Sequence, residues 1–207
     1  MKYVNQVAKV PFPGKFERTR EKLVSAIRDE VRESGDFTAD LVAKRSGSSS
    51  ANFYNHFATK DEALIAVYDQ LMSDLVALVS DQCKIERLLD EGVQPFMAGW
   101  VLRTAQFFAD NAALFRLAQS AFGRSKSLRH LFKKYEAAVT EIYRRFIELG
   151  QAAGQIRGGD QDTMAQMLTV FSESWHHSLV QQLEAGDPLH DELSQALVRM
   201  VSTDMQR

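Results

Sequence analysis

The chain has 207 residues, 45% of them apolar and 25% charged, which are ordinary globular proportions and exclude a disordered or low-complexity polymer. A net charge of −2 excludes a bulk polycation, and the single cysteine, Cys83, excludes an intramolecular disulfide framework and a four-cysteine zinc site. No run approaches ~18 uninterrupted apolar residues and the N-terminal stretch lacks the apolar core of a secretory signal, so no membrane span and a reduced, cytoplasmic location are expected.

The near-neutral total hides an asymmetry. Residues 1–60 carry eleven Lys and Arg against seven acids, a net of +4, while the remainder holds 14 bases and 20 acids. Such a split suggests that one end meets a polyanion and the other does something else.

Residues 1–15 read as a loose arm, because Pro11, Pro13 and Gly14 block regular structure. From Phe16 to Ser34 the four-residue recurrence of Leu23, Ile27 and Val31 predicts an amphipathic helix, closed by Gly35 where a left-handed residue is wanted. Thr38 opens a short helix over Ala39 to about Arg45, Ser46-Gly47-Ser48 breaks it, and Ser48 or Ser49 can cap a second short helix through Asn55. Thr59-Lys60-Asp61-Glu62 is a capping box that opens a long helix, and Leu64, Val67, Tyr68, Leu71, Leu75, Leu78 and Val79 keep its 3.6-residue period. Further helices are expected at about 85–109, bent near Pro95, and at 111–122, 126–152, 161–185 and 188–205. Asp187-Pro188 supplies the last start signal. No β alternation and no internal repeat is visible. The fold class expected is all-α.

Two short helices joined by a tight Gly-containing turn, after one longer helix, match the helix-turn-helix pattern. The stretch TADLVAKRSGSSSANFYNHFATK, residues 38–60, resembles the DNA-binding signature of the TetR family of transcriptional regulators, T-x-x-x-I-A-x-x-A-G-V-S-x-x-x-x-Y-x-H-F-x-x-K. Thr38, Val42, Ala43, Gly47, Ser49, Tyr54, His56, Phe57 and Lys60 fall in register without a gap, whereas Ser46 and Ser48 stand at the family's small-apolar and Val positions. The resemblance covers residues 16–68. It implies a three-helix head over 16–60 and a larger helical effector-binding and dimerisation domain over 61–207. Thr38, Ser48, Ser49, Ser50, Asn52, Phe53, Tyr54, His56 and Lys60 are the implied DNA-binding set. Within it, Asn52 is the residue suited to a bidentate contact with adenine, and Tyr54, His56 and Lys60 are candidates for phosphate. Lys44, Arg45, Arg18 and Arg20 are weaker phosphate candidates.

The resemblance further implies that the larger half binds a small molecule and forms a two-fold dimer with another copy. Aromatic residues crowd the stretch from Phe96 to Phe146. Trp100, Phe107, Tyr135, Tyr143 and Trp175 are the first candidates for a pocket lining, since Trp and Tyr add a polar handle to an apolar body. Arg103 could pair with an anionic ligand, or form a surface salt bridge. For the dimer, Met164, Met167, Leu168, Phe171, Trp175 and Leu179 make one apolar stripe and Leu189, Leu193, Leu197, Met200 and Val201 another, with Met167, Phe171, Leu193, Leu197 and Met200 as interface candidates.

Catalysis is not expected. Glu173, His176 and His177 lie within one turn, but adjacent histidines diverge on a helix, and the sequence has no His-Glu-x-x-His pair, phosphate loop or Gly-x-Ser-x-Gly elbow. No cofactor and no metal are expected. The function expected is a ligand-responsive regulator, a repressor acting on duplex DNA as a homodimer. The alternative is a DNA-binding protein controlled by a protein partner, with no small-molecule effector.

Overall fold

The computed structural model describes residues 14–183 and 187–202, without the side chains of Glu173 and Gln181. Most of the arm expected over 1–15, and residues 184–185 and 203–205 of the two last predicted helices, lie outside the described residues. Among the described residues the secondary structure is helical throughout, in ten α-helices and two short 3₁₀ turns.

Helix α1 (Lys15–Ser34) buries Leu23, Val24, Ile27 and Val31 on one face and ends at Gly35, whose φ of +81° needs no Cβ. Thr38 accepts a hydrogen bond from the Leu41 N–H at 3.3 Å and so caps α2 (Ala39–Ser46). Gly47, at φ +66°, turns the chain, and the Ser48 N–H closes back on the Ala43 carbonyl at 2.8 Å. Ser49 caps α3 (Ser50–His56) by accepting from the Asn52 N–H at 3.2 Å. Phe37, Val42, Phe53 and Phe57 fill the space between the three helices.

Helix α4 (Lys60–Gln82) begins with a reciprocal pair of bonds. The Thr59 hydroxyl accepts from the Glu62 N–H at 3.1 Å, and the Glu62 carboxylate accepts from the Ala58 N–H at 2.8 Å. One compact unit ends at Ala63 and a second begins at Leu64, three residues later than the boundary expected from sequence. By length and apolarity alone α4 could cross a membrane. Its apolar face is instead spent on protein, with Leu64, Val67, Tyr68, Leu71, Met72, Leu75 and Val79 all buried.

The second unit continues through α5 (Ile85–Glu91), α6 (Val93–Asp110), α7 (Ala112–Ala121), α8 (Lys126–Ala152), α9 (Gln161–Ser172) and α10 (Pro188–Val201). The predicted bend at Pro95 is a full break three residues earlier, at Gly92, whose φ is +77°. Pro95 lies in the first turn of α6, where its missing N–H has no intrahelical partner to lose. After α8 the chain reverses at Gly154, and Ile156 packs so closely on Gly150 that a Cβ there would collide with it.

The expected helix over 161–185 stops at Ser172. Thr169, Ser172 and Ser174 each donate their hydroxyl to a carbonyl three or four residues earlier, which loosens the α ladder. Two 3₁₀ turns follow, Glu173–His176 and Val180–Gln182. The first carries Trp175 wholly into the core, 5.8 Å from Trp100 and 5.6 Å from Phe171 between ring centres.

Helix α10 packs along α6. His190, Ser194, Leu197 and Val201 form its buried face, and the His190 ring reaches the Ala98 carbonyl at 3.1 Å. Its C-terminal end is held by Arg157, whose main-chain N–H bonds to the Val201 carbonyl and whose Nε bonds to that of Met200, both at 2.8 Å. Leu197 is 0% exposed. Within the single chain it packs as a core residue on the side of α10 that faces α6, whereas Leu189, Leu193 and Met200 of the same stripe keep exposed surface.

Candidate functional site

In the first unit the turn at Gly47 and the serine cap of α3 leave one side of the short helix open. Tyr54 is 56% exposed, beside exposed Ala51 and Asn55. Lys44 on α2 is exposed too. The remaining members of the implied DNA-binding set already have work inside the unit. The Asn52 amide donates to the Ser48 hydroxyl at 2.7 Å, and Ser50 bonds to the Asp40 carboxylate. Phe53 is buried, edge-on to Tyr54 and close to Phe57. The His56 ring packs 4.1 Å from that of Phe16, with its Nδ1 buried and meeting no hydrogen-bond partner.

The charges sort in the same way. The Lys60 ammonium bonds to the Asp36 carboxylate at 2.7 Å and lies 5.1 Å from the centre of the Phe37 ring. Burial alone would raise the Asp36 pKa, but the Lys60 ammonium and the Phe37 N–H outweigh it and hold the carboxyl below its ordinary value. The Arg45 guanidinium joins α2 to α1 through Glu30, at 3.0 Å, and Glu33, at 2.8 Å. That hydrogen bonding holds Glu33 below the usual carboxylate range and raises Arg45. Arg20 sits 5.0 Å from the centre of the Phe57 ring. The spacing that aligned Lys60 with the family motif, and the charge that made Arg45 a weaker phosphate candidate, carried no sign of these partners, which lie 24 residues away for Lys60 and 12 to 15 for Arg45.

In the second unit a cavity of about 50 Å³ lies among α4, α6, α7, α8 and α9. Met72, Leu75, Phe108, Phe115, Phe132 and Val139 supply its apolar wall, and Glu136, Thr169, Ser172 and His176 its polar one. The Phe108 and Phe115 rings stack 4.7 Å apart, and His176 meets both edge-on at 4.7 and 4.9 Å. Burial pushes the His176 pKa below its ordinary 6.5, so the imidazole is neutral at neutral pH. The folded chain thus binds this proton more weakly than the unfolded chain. Stability tied to His176 is present above pH 6.5 and is lost as pH falls through that value toward the depressed folded one. Replacing His176 with Gln should flatten the fall in melting temperature on acidification below pH 6.5, whereas an unaltered profile would assign the fall to other groups.

None of the six residues expected to line a pocket faces this cavity. Trp100 and Tyr143 are in the core, 6.0 Å apart, and border a cleft of about 10 Å³ with Cys83, about one water's worth of space. The Tyr143 hydroxyl lies 3.1 Å from that of Ser172, and burial raises its pKa. Tyr135 turns its hydroxyl to the Asp69 carboxylate on α4 at 2.7 Å, and burial together with that carboxylate pushes its pKa up to about 12. Phe107 packs beside Phe108 and Phe115 without reaching the cavity. Trp175 is core. Arg103 folds back over Gly99 and forms no ion pair among the described residues; its Nε and Nη2 are buried without an acceptor, and burial lowers its pKa. Phe108, Phe115 and Phe132 stood in the same aromatic run, but helical period places Phe108, and not the adjacent Phe107, on the inner face with Trp100 and Thr104. Burial likewise pushes the Cys83 thiol up to about 12, which leaves no thiolate at neutral pH. His176 and His177 diverge: the first enters the cavity, and the second is exposed and accepts from the Leu179 N–H at 3.2 Å.

A groove of about 580 Å³ runs between α8 and α9, lined by Glu136, Ala137, Thr140, Glu141, Arg144, Asp162, Ala165, Gln166, Thr169 and Val170. Thr140 and Thr169 bond across it at 2.8 Å. Beside it α9 exposes Met167, at 43%, and Val170, at 70%, while Phe171 is half-buried. Leu193 and Met200 on α10 are half-buried.

No protein-family model matches the chain, and no curated protein does. Solved structures do. A protein from Mesorhizobium loti MAFF303099, described as a TetR-family transcriptional regulator, superposes with a TM-score of 0.74 at 14% identity, over 92% of this chain and 100% of that one. A TetR transcription regulator from Haloarcula marismortui gives 0.71 at 18% identity, over 89% and 96%. SmeT, the repressor of the Stenotrophomonas maltophilia multidrug efflux pump SmeDEF, gives 0.62 at 19% identity, over 91% and 93%, and has also been solved as a complex with triclosan. The chain has the all-α fold of the TetR-family transcriptional regulators.

Proposed function

We propose that this protein is a transcriptional regulator of the TetR type, a repressor that binds duplex DNA as a homodimer and is released by a small, largely apolar effector. The observation that carries the reading is the exposed side of α3, with Tyr54 standing out beyond a Gly47 turn and a Ser49 cap, on a chain that superposes almost end to end on known regulators. Seated in a major groove, α3 presents Ser49, Ser50 and Asn52 toward base edges, with Tyr54 and Lys44 toward phosphates. Asn52 reads a base by exchanging its bond to Ser48, and Lys60 and His56 act by holding the head together more than by touching DNA. A cytoplasmic location belongs to the same reading.

The dimer surface is assigned to the outer face of α9 with the adjacent face of α8, where Met167 and Val170 are exposed beside the groove, instead of to α9 with α10. The effector site is the cavity behind Phe108 and Phe115, and α4, which contributes residues to both compact units, is the covalent path by which occupancy reaches the head. Coupling requires an effector that favours the conformation with weaker DNA affinity, at ~1–3 kcal/mol or about 5–150-fold in operator binding. The small size of the cavity favours a second reading, a regulator governed by a protein partner with no effector.

Lys44→Ala combined with Tyr54→Phe is expected to weaken binding to duplexes of any sequence and to make the salt dependence shallower by about one unit of slope. Asn52→Ala should relax preference at one base pair, at a cost of about 1–3 kcal/mol on the preferred site. An unchanged affinity and salt slope in the double variant would remove α3 from the interface.

A further inference from the structure

The charge that the cavity prefers can be read from its polar wall, on the footing that it is the effector site. Neither Lys nor Arg lines it. Its one carboxylate, Glu136, is exposed and has no ion pair or hydrogen bond among the described residues, although farther along α8 Glu141 is held by Arg144, and Glu148 by Arg144 and Arg145. Glu136 and Thr169 border both the cavity and the α8–α9 groove, so the two spaces meet at that carboxylate.

The neighbouring hydroxyls have already committed their protons. Thr169 donates to the Ala165 carbonyl at 3.0 Å and Ser172 to the Leu168 carbonyl at 2.9 Å. The Thr140 and Tyr143 hydroxyls also meet these two oxygens, at 2.8 and 3.1 Å, so what each has left is at most a lone pair, which accepts a hydrogen bond and does not donate one. The neutral His176 ring adds a single N–H to this wall, whereas an ammonium finds a carboxylate and two acceptors and an anion meets the Glu136 charge. The rest of the wall is apolar, with the stacked Phe108 and Phe115 rings and Phe132 offering an aromatic surface.

We infer that the cavity selects a monocationic aromatic amine, its ring among Phe108, Phe115 and Phe132 and its ammonium against Glu136, Thr169 and Ser172. Benzene occupies an apolar cavity of ~150 Å³, so the 50 Å³ present here must widen on binding. Phe132 is only half-buried, and the groove beside Glu136 gives the room.

The test uses three molecules of nearly one shape, benzylammonium, benzyl alcohol and benzoate, titrated at neutral pH by calorimetry into the full chain and into Glu136→Gln. Benzylammonium should bind at least about tenfold more tightly than benzyl alcohol, and benzoate more weakly than either. Glu136→Gln should bring benzylammonium down to the level of benzyl alcohol and leave benzyl alcohol unchanged. Equal affinities for the amine and the alcohol, tighter benzoate, or an unaltered ratio in Glu136→Gln would overturn the charge preference and leave the cavity standing as an effector site. Absence of binding by all three at millimolar concentration would overturn both. A Phe115→Leu variant that binds benzyl alcohol as well as the parent would place the ligand elsewhere and remove the inference with it.

Discussion

Leu197→Glu is expected to abolish a cooperative melt, whereas Val170→Glu is expected to give a folded chain that runs as a monomer. Both introduce a carboxylate at an apolar position, yet the two sites differ in what already covers them. Leu197 is 0% exposed on the α10 face that packs on α6, so a charge there loses the leucine burial and is itself desolvated without a partner. That costs several kcal/mol against a total stability of ~5–15 kcal/mol. Val170 is 70% exposed on α9, so the same change costs the single chain little and acts only where a second copy would sit. Circular dichroism and light scattering separate the outcomes. A folded monomer from Leu197→Glu, or an undisturbed dimer from Val170→Glu, would return the seam to α10.

Trp175→Ala should destabilise the second unit by about 3–5 kcal/mol, the usual cost of truncating a buried aromatic side chain to alanine. Its ring is fully buried between Trp100 and Phe171, with centre separations of 5.8 and 5.6 Å. For a chain of this size the melting temperature should fall on the order of ten degrees. The neighbouring cavity lies on the His176 side, so the same substitution should alter ligand affinity much less than Phe115→Leu does. A stable Trp175→Ala protein that has lost ligand binding would restore Trp175 to the pocket lining.

The parts of this fold that follow from local chemistry were legible in the sequence. Thr38 and Thr59 cap the helices they were expected to open, Ser49 resolves the choice with Ser48, and Gly35 adopts the positive φ its position called for. Each such signal involves residues within about four positions, where propensity and capping decide. The end of α9 was not legible, because an apolar period continues through Trp175 and Leu179 while three hydroxyls loosen the backbone beneath it. The side on which an apolar stripe is spent was not legible either. Leu197 lies on the apolar stripe of its helix and Val170 off the stripe of its own, yet only the packing of α10 on α6 shows that the first is covered within the chain and the second is not. At the candidate site the same limit applies: alignment names Lys60 and charge alone suggests Arg45, but their carboxylate partners, Asp36 between α1 and α2 and Glu30 and Glu33 on α1, come from elsewhere in the chain. The cavity residues Glu136, Thr169 and His176 belong to three elements and had no shared pattern to announce them.

The clasp that Arg157 places on the end of α10 has a bearing on how the chain assembles in time. His190 reaches a carbonyl 92 positions earlier, and Arg157 reaches one 43 positions later. Contacts at such separations form after the local helical ones, since the chain between them must first be brought into a closed loop. During synthesis α6 therefore stands with one apolar flank uncovered until residues 190–201 have emerged. That interval, more than the finished structure, is when this protein is most exposed to aggregation.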